Sequence, residues 1–365
     1  MDPPSTERDR TLTGILYALA AFGTWGLVAP VHFKLLAAVP ALEVLAQRIV
    51  WSALLVLAII AARRRWPPLL AALRARRPLG MLAISAVLVG ANWLVYIWAV
   101  SSGQLVEASL GYFINPLVNV ALGLLFLGER LRPLQVAACD LASVGVLVLT
   151  VAAGTVPWIA LALGISFGFY GLIRKTVRVD PLIGFCVESL LLLPFALGYV
   201  GALMATGASV FLKGDWRLDF LLVATSVTTS APLIWFAAAA QRLKLSTVGL
   251  LQYLAPSCLL GLGVVVYGEP FTRVEAVAFG DLDGARALFG GCVRRARPAA
   301  QRLREGARRN NRETSGAISP KQNRPKRRAR TRELPMRRFF ELAASAAAAL
   351  GGFALAFLIN PYLPL

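Results

Sequence analysis

The sequence predicts an all-α, multi-span membrane protein: ten transmembrane helices arranged as two inverted five-helix repeats. Three observations predict it. Apolar residues make up 57% of the chain, above the ~45–50% of ordinary soluble domains. They fall in runs of about 17–25 residues, the length that crosses roughly 30 Å of hydrocarbon. The pattern is also written twice. Leu110–Glu129 reads L-G-Y-F-I-N-P, a glycine-spaced apolar run, then G-E; Leu250–Glu269 reads L-L-Q-Y-L-A-P, a similar run, then G-E. Pro116 stands to Glu129 as Pro256 stands to Glu269, and Gly123 matches Gly263 as Gly128 matches Gly268. F-G-T-W-G-L at Phe22–Leu27 returns as F-G-F-Y-G-L at Phe167–Leu172. Two related half-bundles can enclose a midplane site and rock around it, which is how many secondary transporters are built. Continuous apolar runs exclude a closed barrel, whose strands are short and alternating.

Taken in order, the expected spans lie near 11–31, 42–62, 79–100, 104–127, 134–153, 157–173, 181–205, 218–240, 245–267 and 274–291. Met1–Arg10 is polar and mixed in charge, so the first run reads as a retained helix and not a cleaved leader. Lys and Arg mark the cytoplasmic side. With the N-terminus inside, the inner loops hold Arg63, Arg64, Arg65, Arg74, Arg76, Arg77, Arg130, Arg132, Arg174, Lys175, Arg178, Arg242 and Lys244. The outer loops hold Lys34, Lys213, Arg217 and Arg273. Five spans per half then force the halves to be inverted.

Function classes narrow quickly. One histidine, no H-E-x-x-H and no nucleophile elbow leave no enzyme chemistry to assign. No G-x-x-x-x-G-K-[ST] is present, so ATP hydrolysis is not the energy source. The cysteines Cys139, Cys186, Cys258 and Cys292 are scattered without C-x-x-C or histidine partners, so neither a disulfide framework nor a metal site is expected, and no cofactor is called for. His32, the single histidine, falls at an outer helix end and reads as a solvated interface residue.

The motifs N-W-L-V-Y-I-W-A-V (Asn92–Val100), V-E-A-S-L-G-Y-F-I-N-P-L-V-N-V (Val106–Val120) and L-G-E-R-L (Leu127–Leu131) resemble the RarD branch of the EamA-type carriers, in the drug/metabolite transporter superfamily. E-V-L-A-Q-R-I-V-W-S (Glu43–Ser52), V-E-S-L-L-L-L-P (Val187–Pro194) and L-Q-Y-L-A-P (Leu251–Pro256) fit the same branch. The resemblance covers roughly residues 11–280. It implies a ten-helix, five-plus-five inverted-repeat permease of the bacterial inner membrane, multi-pass, with the lipid bilayer and a small organic metabolite or drug-like solute as its partners. It does not fix the compound or the direction of transport, and a homodimer is left open.

The halves fall at 11–153 and 157–291. The tenth span departs from the branch: after Gly280 it reads D-L-D-G-A-R-A-L, placing Asp281, Asp283 and Arg286 in mid-span. Each such charge costs about 2.5–3.5 kcal/mol at the bilayer centre. One codon choice for Asp281–Leu288, read one base later, gives Ile-Trp-Thr-Ala-Leu-Ala-Leu, so a single-base frameshift near residue 280 accounts for the change; resequencing the locus tests it. Residues 292–338 then carry seventeen Arg and Lys against Glu305, Glu313 and Glu333, about +14 of the net +19. Such a tract reads as disordered; without interleaved aromatics it does not read as a nucleic-acid binder. Residues 339–365 are apolar again, an extra helix or hairpin. A non-transporting sensor or assembly factor, or a permease disabled by the frameshift, is the alternative to a working carrier.

Candidate site residues follow from helix chemistry. A proline inside a helix frees the carbonyl four residues earlier: Pro116 frees that of Tyr112, and Pro256 that of Gln252, next to Tyr253. Breaks at matching places in two halves point to a binding site. Asn92 and Tyr96 share a face, with Trp93 beside them; Asn115 and Asn119 share another, one turn past Tyr112. Each amide must pair across helices or line a wet cavity. Trp25 and Tyr170 occupy matching positions of the two halves, and Trp235 joins them as a cavity-wall candidate. Arg48, Glu107 and Glu188 are charges inside spans, and such groups mark functional sites. Arg48 and Glu107 fall near the outer face, where they could pair. Glu188 is the repeat counterpart of Arg48, expected at the opposite end beside Arg174 or Lys175. A carboxylate in a half-dry site can carry a proton, so Glu107 or Glu188 is the expected coupling site. Glu129 and Glu269 end the G-E motifs at loop edges and read as solvated turn residues. Gly23, Gly26, Gly168, Gly171, Gly261 and Gly263 read as surfaces for close helix approach.

Overall fold

The computed structural model describes residues 7–101, 105–131, 133–153 and 157–262, and these are helices and connecting turns without a strand. The first span is α1 (Glu7–Gly23), a π-turn (Thr24–Val28) and α2 (Ala29–Leu35) in line. α3 (Ala41–Ala62), α4 (Trp66–Arg74), α5 (Arg76–Ser101), α6 (Leu105–Leu127) and α7 (Pro133–Ala153) complete the first half. The second comprises α8 (Trp158–Thr176), α9 (Pro181–Ala205), α10 (Trp216–Arg242), α11 (Leu245–Gln252) and α12 (Leu254–Gly261). Six helical stretches among the described residues are long and apolar enough to cross a membrane: Asp9–Leu35, Ala41–Ala62, Arg76–Ala99, Trp158–Thr176, Pro181–Ala205 and Trp216–Arg242. Gly111–Leu127 and Gln135–Leu147 are apolar but shorter. The tenth span expected near 274–291, the basic tail, residues 339–365 and Glu269 lie outside the described residues.

The protein is a multi-pass membrane protein whose polarity is turned inside out. Phe195 (78% exposed), Leu125 (74%) and Val151 (71%) look outward, whereas Glu43, Arg174 and Asn119 are fully enclosed. Apolar surface of this extent belongs in lipid, where every polar group must find an internal partner. α3 packs on α9 and α10, α5 on α8 and α9, and α6 on α8 and α11; α1 lies against α10 and against the α11–α12 pair.

Three local features depart from expectation. The π-turn falls on T-W-G-L-V, inside the first of the two F-G motifs; its Gly26 lets α12 approach, since a Cβ there would stand 2.6 Å from the Ala255 carbonyl oxygen. Gly23, expected to serve the same purpose, has open space around its Cα, because α12 meets the turn one residue face further round. The two prolines also behave differently: α6 runs through Pro116 unbroken, whereas the ninth span divides at Tyr253, just past the Gln252 carbonyl that Pro256 leaves unpaired. The basic loop after α3 carries an unexpected helix, α4, opened by Pro67 and Pro68 in its first turn, where proline costs no hydrogen bond.

His32 is a correction. It is not solvated but 8% exposed, because α2 continues past the π-turn and packs on α10. Its Nε2 lies 2.9 Å from the Leu221 carbonyl oxygen and its Nδ1 3.2 Å from the Thr228 hydroxyl.

Candidate functional site

Four spans meet around a small, mostly apolar cavity with room for about one water molecule, bordered by a few polar and charged side chains. α3 supplies Arg48, Ile49 and Ser52, α5 supplies Val89 and Trp93, α9 supplies Phe185, Glu188, Ser189 and Leu192, and α10 supplies Thr229. Arg48 is held on three sides. Its Nε donates to Thr229 Oγ1 at 3.1 Å, and its guanidinium carbon lies 4.2 Å over the Trp93 ring and 5.5 Å from that of Phe33. Such cation–π contacts strengthen as water is excluded. Ser52 lies one helical turn beyond Arg48 on the same face; it is 2% exposed and its hydroxyl has no hydrogen-bond partner.

Glu188 closes the cavity from α9. Its Oε1 accepts from the Ser85 hydroxyl of α5 and lies 3.4 Å from Arg174 Nη1; its Oε2 has no hydrogen-bond partner. Arg174 is fully buried, and its Nη2 donates to the Pro181 carbonyl at 3.0 Å. The Arg174 contact is the one expected from sequence. Ser85, the donor from the other half, carried no sequence signal. Glu107 lies on α6, but its side chain is outside the described residues, so the Arg48–Glu107 pair proposed from the sequence is not placed.

The remaining predicted residues fall in four other places. Asn115, Pro116, Asn119, Gln252, Tyr253 and Pro256 are buried in the seam between α6 and the divided ninth span. Asn119 Nδ2 donates to Gln252 Oε1 at 2.9 Å and to Asn115 Oδ1 at 3.3 Å, and the Tyr253 hydroxyl donates to the Phe113 carbonyl at 3.2 Å. Gly249 permits the approach: a Cβ there would stand 2.7 Å from the Pro116 carbonyl oxygen. Trp25 and Tyr170 share an aromatic cluster with Phe167 and Phe236, with centroids 5.4–6.0 Å apart. Trp235 packs half-buried against the same core. Asn92 clips α5 to α8, donating to the Leu163 carbonyl at 2.9 Å and Ser166 Oγ at 2.8 Å. Tyr96 meets Tyr112 edge-on at 5.9 Å, beside Arg48. Of the predicted residues, Arg48, Trp93 and Glu188 line the cavity.

Glu129 is a second correction. It is no solvated turn residue: its carboxylate accepts from Leu245 N (2.7 Å), Ser246 N (2.9 Å) and Ser246 Oγ (2.7 Å), capping α11 from a different span. The Lys244 side chain at the helix's own N-cap makes no capping bond, and a carboxylate at a helix N-terminus satisfies free N–H groups and the helix dipole together. Lys175 joins the cluster, 4.0 Å from Glu129 and bonded to the Ala240 and Leu243 carbonyls. Glu129→Ala is expected to cost about 2–3 kcal/mol, the scale of a hydrogen bond to a charged group. A melting curve unchanged from wild type would show the cap to be dispensable.

Sequence missed one more carboxylate. Glu43, in the first turn of α3, is fully buried and accepts from Ser209 Oγ (2.7 Å), Val210 N (2.9 Å) and Phe211 N (3.4 Å), pinning the loop before α10. Its partners lie more than 160 residues away, beyond any local pattern.

With this geometry in place, relatives can be compared. Residues 12–151 match the EamA-like transporter family. An uncharacterized transporter of Vibrio cholerae is 46% identical over 80% of this chain and 96% of its own length. Protein RarD of Escherichia coli is 44% identical over 78% of this chain and 95% of its own. The chain belongs to the EamA-like transporter family. Within the family it falls in the RarD branch, alongside the transporter YojE of Bacillus subtilis, 42% identical over 78% of this chain and 95% of that one. A crystal structure of a protein 21% identical overlays with a TM-score of 0.57 across 75% of this chain and 96% of that one, which is a likeness of fold. Membership makes the protein a membrane transporter by kinship, and nothing in the family names points to an enzyme.

Proposed function

We propose that the protein is a secondary transporter of the inner membrane that moves a small organic solute by alternating access through the Arg48–Glu188 cavity, driven by protons taken up on Glu188. The observation that carries this reading is the make-up of the cavity. Four pairs of its lining residues stand 140 positions apart: Arg48 and Glu188, Ile49 and Ser189, Ser52 and Leu192, Val89 and Thr229. Pro116 and Pro256 share that offset. The cavity therefore draws on the same places in both halves, as a site on a pseudo-two-fold axis would.

Helix packing supports the same symmetry. Counting spans one to nine, exchanging the halves turns α1·α10 into α5·α8, α3·α10 into α5·α9, and α1·α11 into α6·α8; α3·α9 and α6·α11 map onto themselves. Halves at 11–153 and 157–291, with five spans each and the N-terminus inside, account for this pattern, and the odd number makes them antiparallel. Rocking one half on the other would open the cavity to each side in turn. The Asn119–Gln252 seam is then a bearing between the fourth span and the divided ninth, and the remaining candidates of the seam and aromatic cluster contact solute only when it opens.

The test is gradient-driven flux. Purified protein in vesicles is expected to concentrate at least one class of small organic solute when a pH gradient is imposed, and to lose that gain when a protonophore is added. Equal distribution of every solute class under a gradient would contradict the proposal.

A further inference from the structure

The cavity's charge inventory identifies the class of solute, given the transport reading above. Among the described residues three charges border it: Arg48, Glu188 and, behind Glu188, Arg174. Glu188 has Arg174 as its counter-ion. Arg48 has no carboxylate within salt-bridge distance among the described residues; its contacts are Thr229 and two aromatic faces. A positive charge in a mostly apolar enclosure, with no counter-ion among the described side chains, favours an anion. One turn away, the partnerless Ser52 hydroxyl offers a second donor on the same helix face. Ile49, Val89, Leu192, Phe185 and the Trp93 ring form the rest of the wall and suit an apolar body.

We propose that the solute is a monocarboxylate with an apolar tail, its carboxylate accepting from Arg48 and Ser52, and that it binds together with one proton on Glu188. The proton follows from like-charge repulsion. With the cavity empty and Glu188 ionised, the two arginines and one carboxylate sum to a single positive charge. Adding an anion beside Glu188 brings two carboxylates together, which disfavours ionisation of both. Protonating Glu188 removes that repulsion and leaves the solute carboxylate to Arg48. The groups facing Glu188 are Arg174 and Tyr170 from α8, Ser85 from α5 and, across the cavity, Arg48 from α3. None of them is a second carboxylate that would take the proton instead.

The experiment compares three isosteric probes on the full-length protein in detergent: 3-phenylpropionate, its amide, and 3-phenylpropylamine. Apparent dissociation constants come from the ligand-dependent rise in melting temperature, and proton uptake from calorimetry in buffers of different ionisation enthalpy. The carboxylate is expected to bind at least about tenfold more tightly than either analogue, with uptake of about one proton per anion. Ser52→Ala is expected to weaken it several-fold, and Arg48→Gln to erase the preference for the acid. The comparison of probes on the unaltered protein stands even if Arg48→Gln does not fold. Tighter binding of the amide or amine, binding of the acid without proton uptake, or no binding of any probe each overturns the proposal. If the amine or amide is instead carried under a gradient, the transporter reading survives while the anion assignment falls. Absence of gradient-driven flux for every solute class sinks the transporter reading itself.

Discussion

Glu188→Gln protein is expected to lose pH-driven accumulation down to the level of protein-free vesicles while retaining exchange of labelled for unlabelled solute. The substitution keeps the shape and the hydrogen bond from Ser85, and it removes the only carboxylate on the cavity wall among the described residues. Exchange needs the cavity to open alternately with solute bound; accumulation also needs protons to move with it. A carrier that couples through Glu188 must separate the two. If Glu188→Gln protein still concentrates solute as fast as wild type, coupling lies elsewhere, and Glu107, in the first turn of α6, becomes the carboxylate to replace next.

The second large effect concerns the pair that holds Glu188. Gly184 faces Arg174, and a Cβ added there would stand 2.1 Å from Nη1, closer than any real contact. Arg174 is fully buried, so its guanidinium must shift within the protein interior to make room. Gly184→Ala is therefore expected to drive the guanidinium off the carboxylate. Breaking a buried ion pair costs about 3–5 kcal/mol, because an unpaired charge is left behind. The same substitution in the Glu188→Gln background is expected to cost less, by about 0.5–3 kcal/mol, the usual range for coupled neighbours. Thermal melts of the four proteins measure this. Strictly additive losses would mean that the 3.4 Å contact contributes nothing, and that Arg174 is anchored by the Pro181 carbonyl alone.

Helices were legible in the sequence because length is a local property. Apolar runs of spanning length and the 140-residue echo can be read without knowing any contact. Arg48, Glu188 and Trp93 were legible as well, since a charge or indole in a hydrophobic run stands out wherever it packs. Which helix faces meet is a different matter. Asn115, Asn119 and Gln252 share the chemistry of a binding site, yet they hydrogen-bond to one another across the α6–α11 seam. Polar residues facing each other and polar residues facing a hollow leave the same trace in one dimension. Ser52, Ser85 and Thr229 were passed over because a hydroxyl inside a helix usually bonds back to its own backbone; here they serve the cavity. Glu129 misled for a related reason, and Glu43 gave no signal at all, because the distant backbone each carboxylate accepts from lies beyond any local pattern. The π-turn at Thr24–Val28 has no composition of its own, and it falls where the first span packs on α12.

The central claim is that one cavity, built from equivalent places in two antiparallel halves, is exposed to the two sides of the membrane in turn. Cysteine accessibility tests it most directly. In a background lacking Cys139, Cys186, Cys258 and Cys292, Ser189→Cys places a thiol on the cavity wall. The account predicts reaction with a membrane-impermeant maleimide from one face at rest, from the opposite face when the pH gradient is reversed, and protection by transported solute in both cases. A thiol that reacts from a single face under every gradient, or from neither, would contradict it.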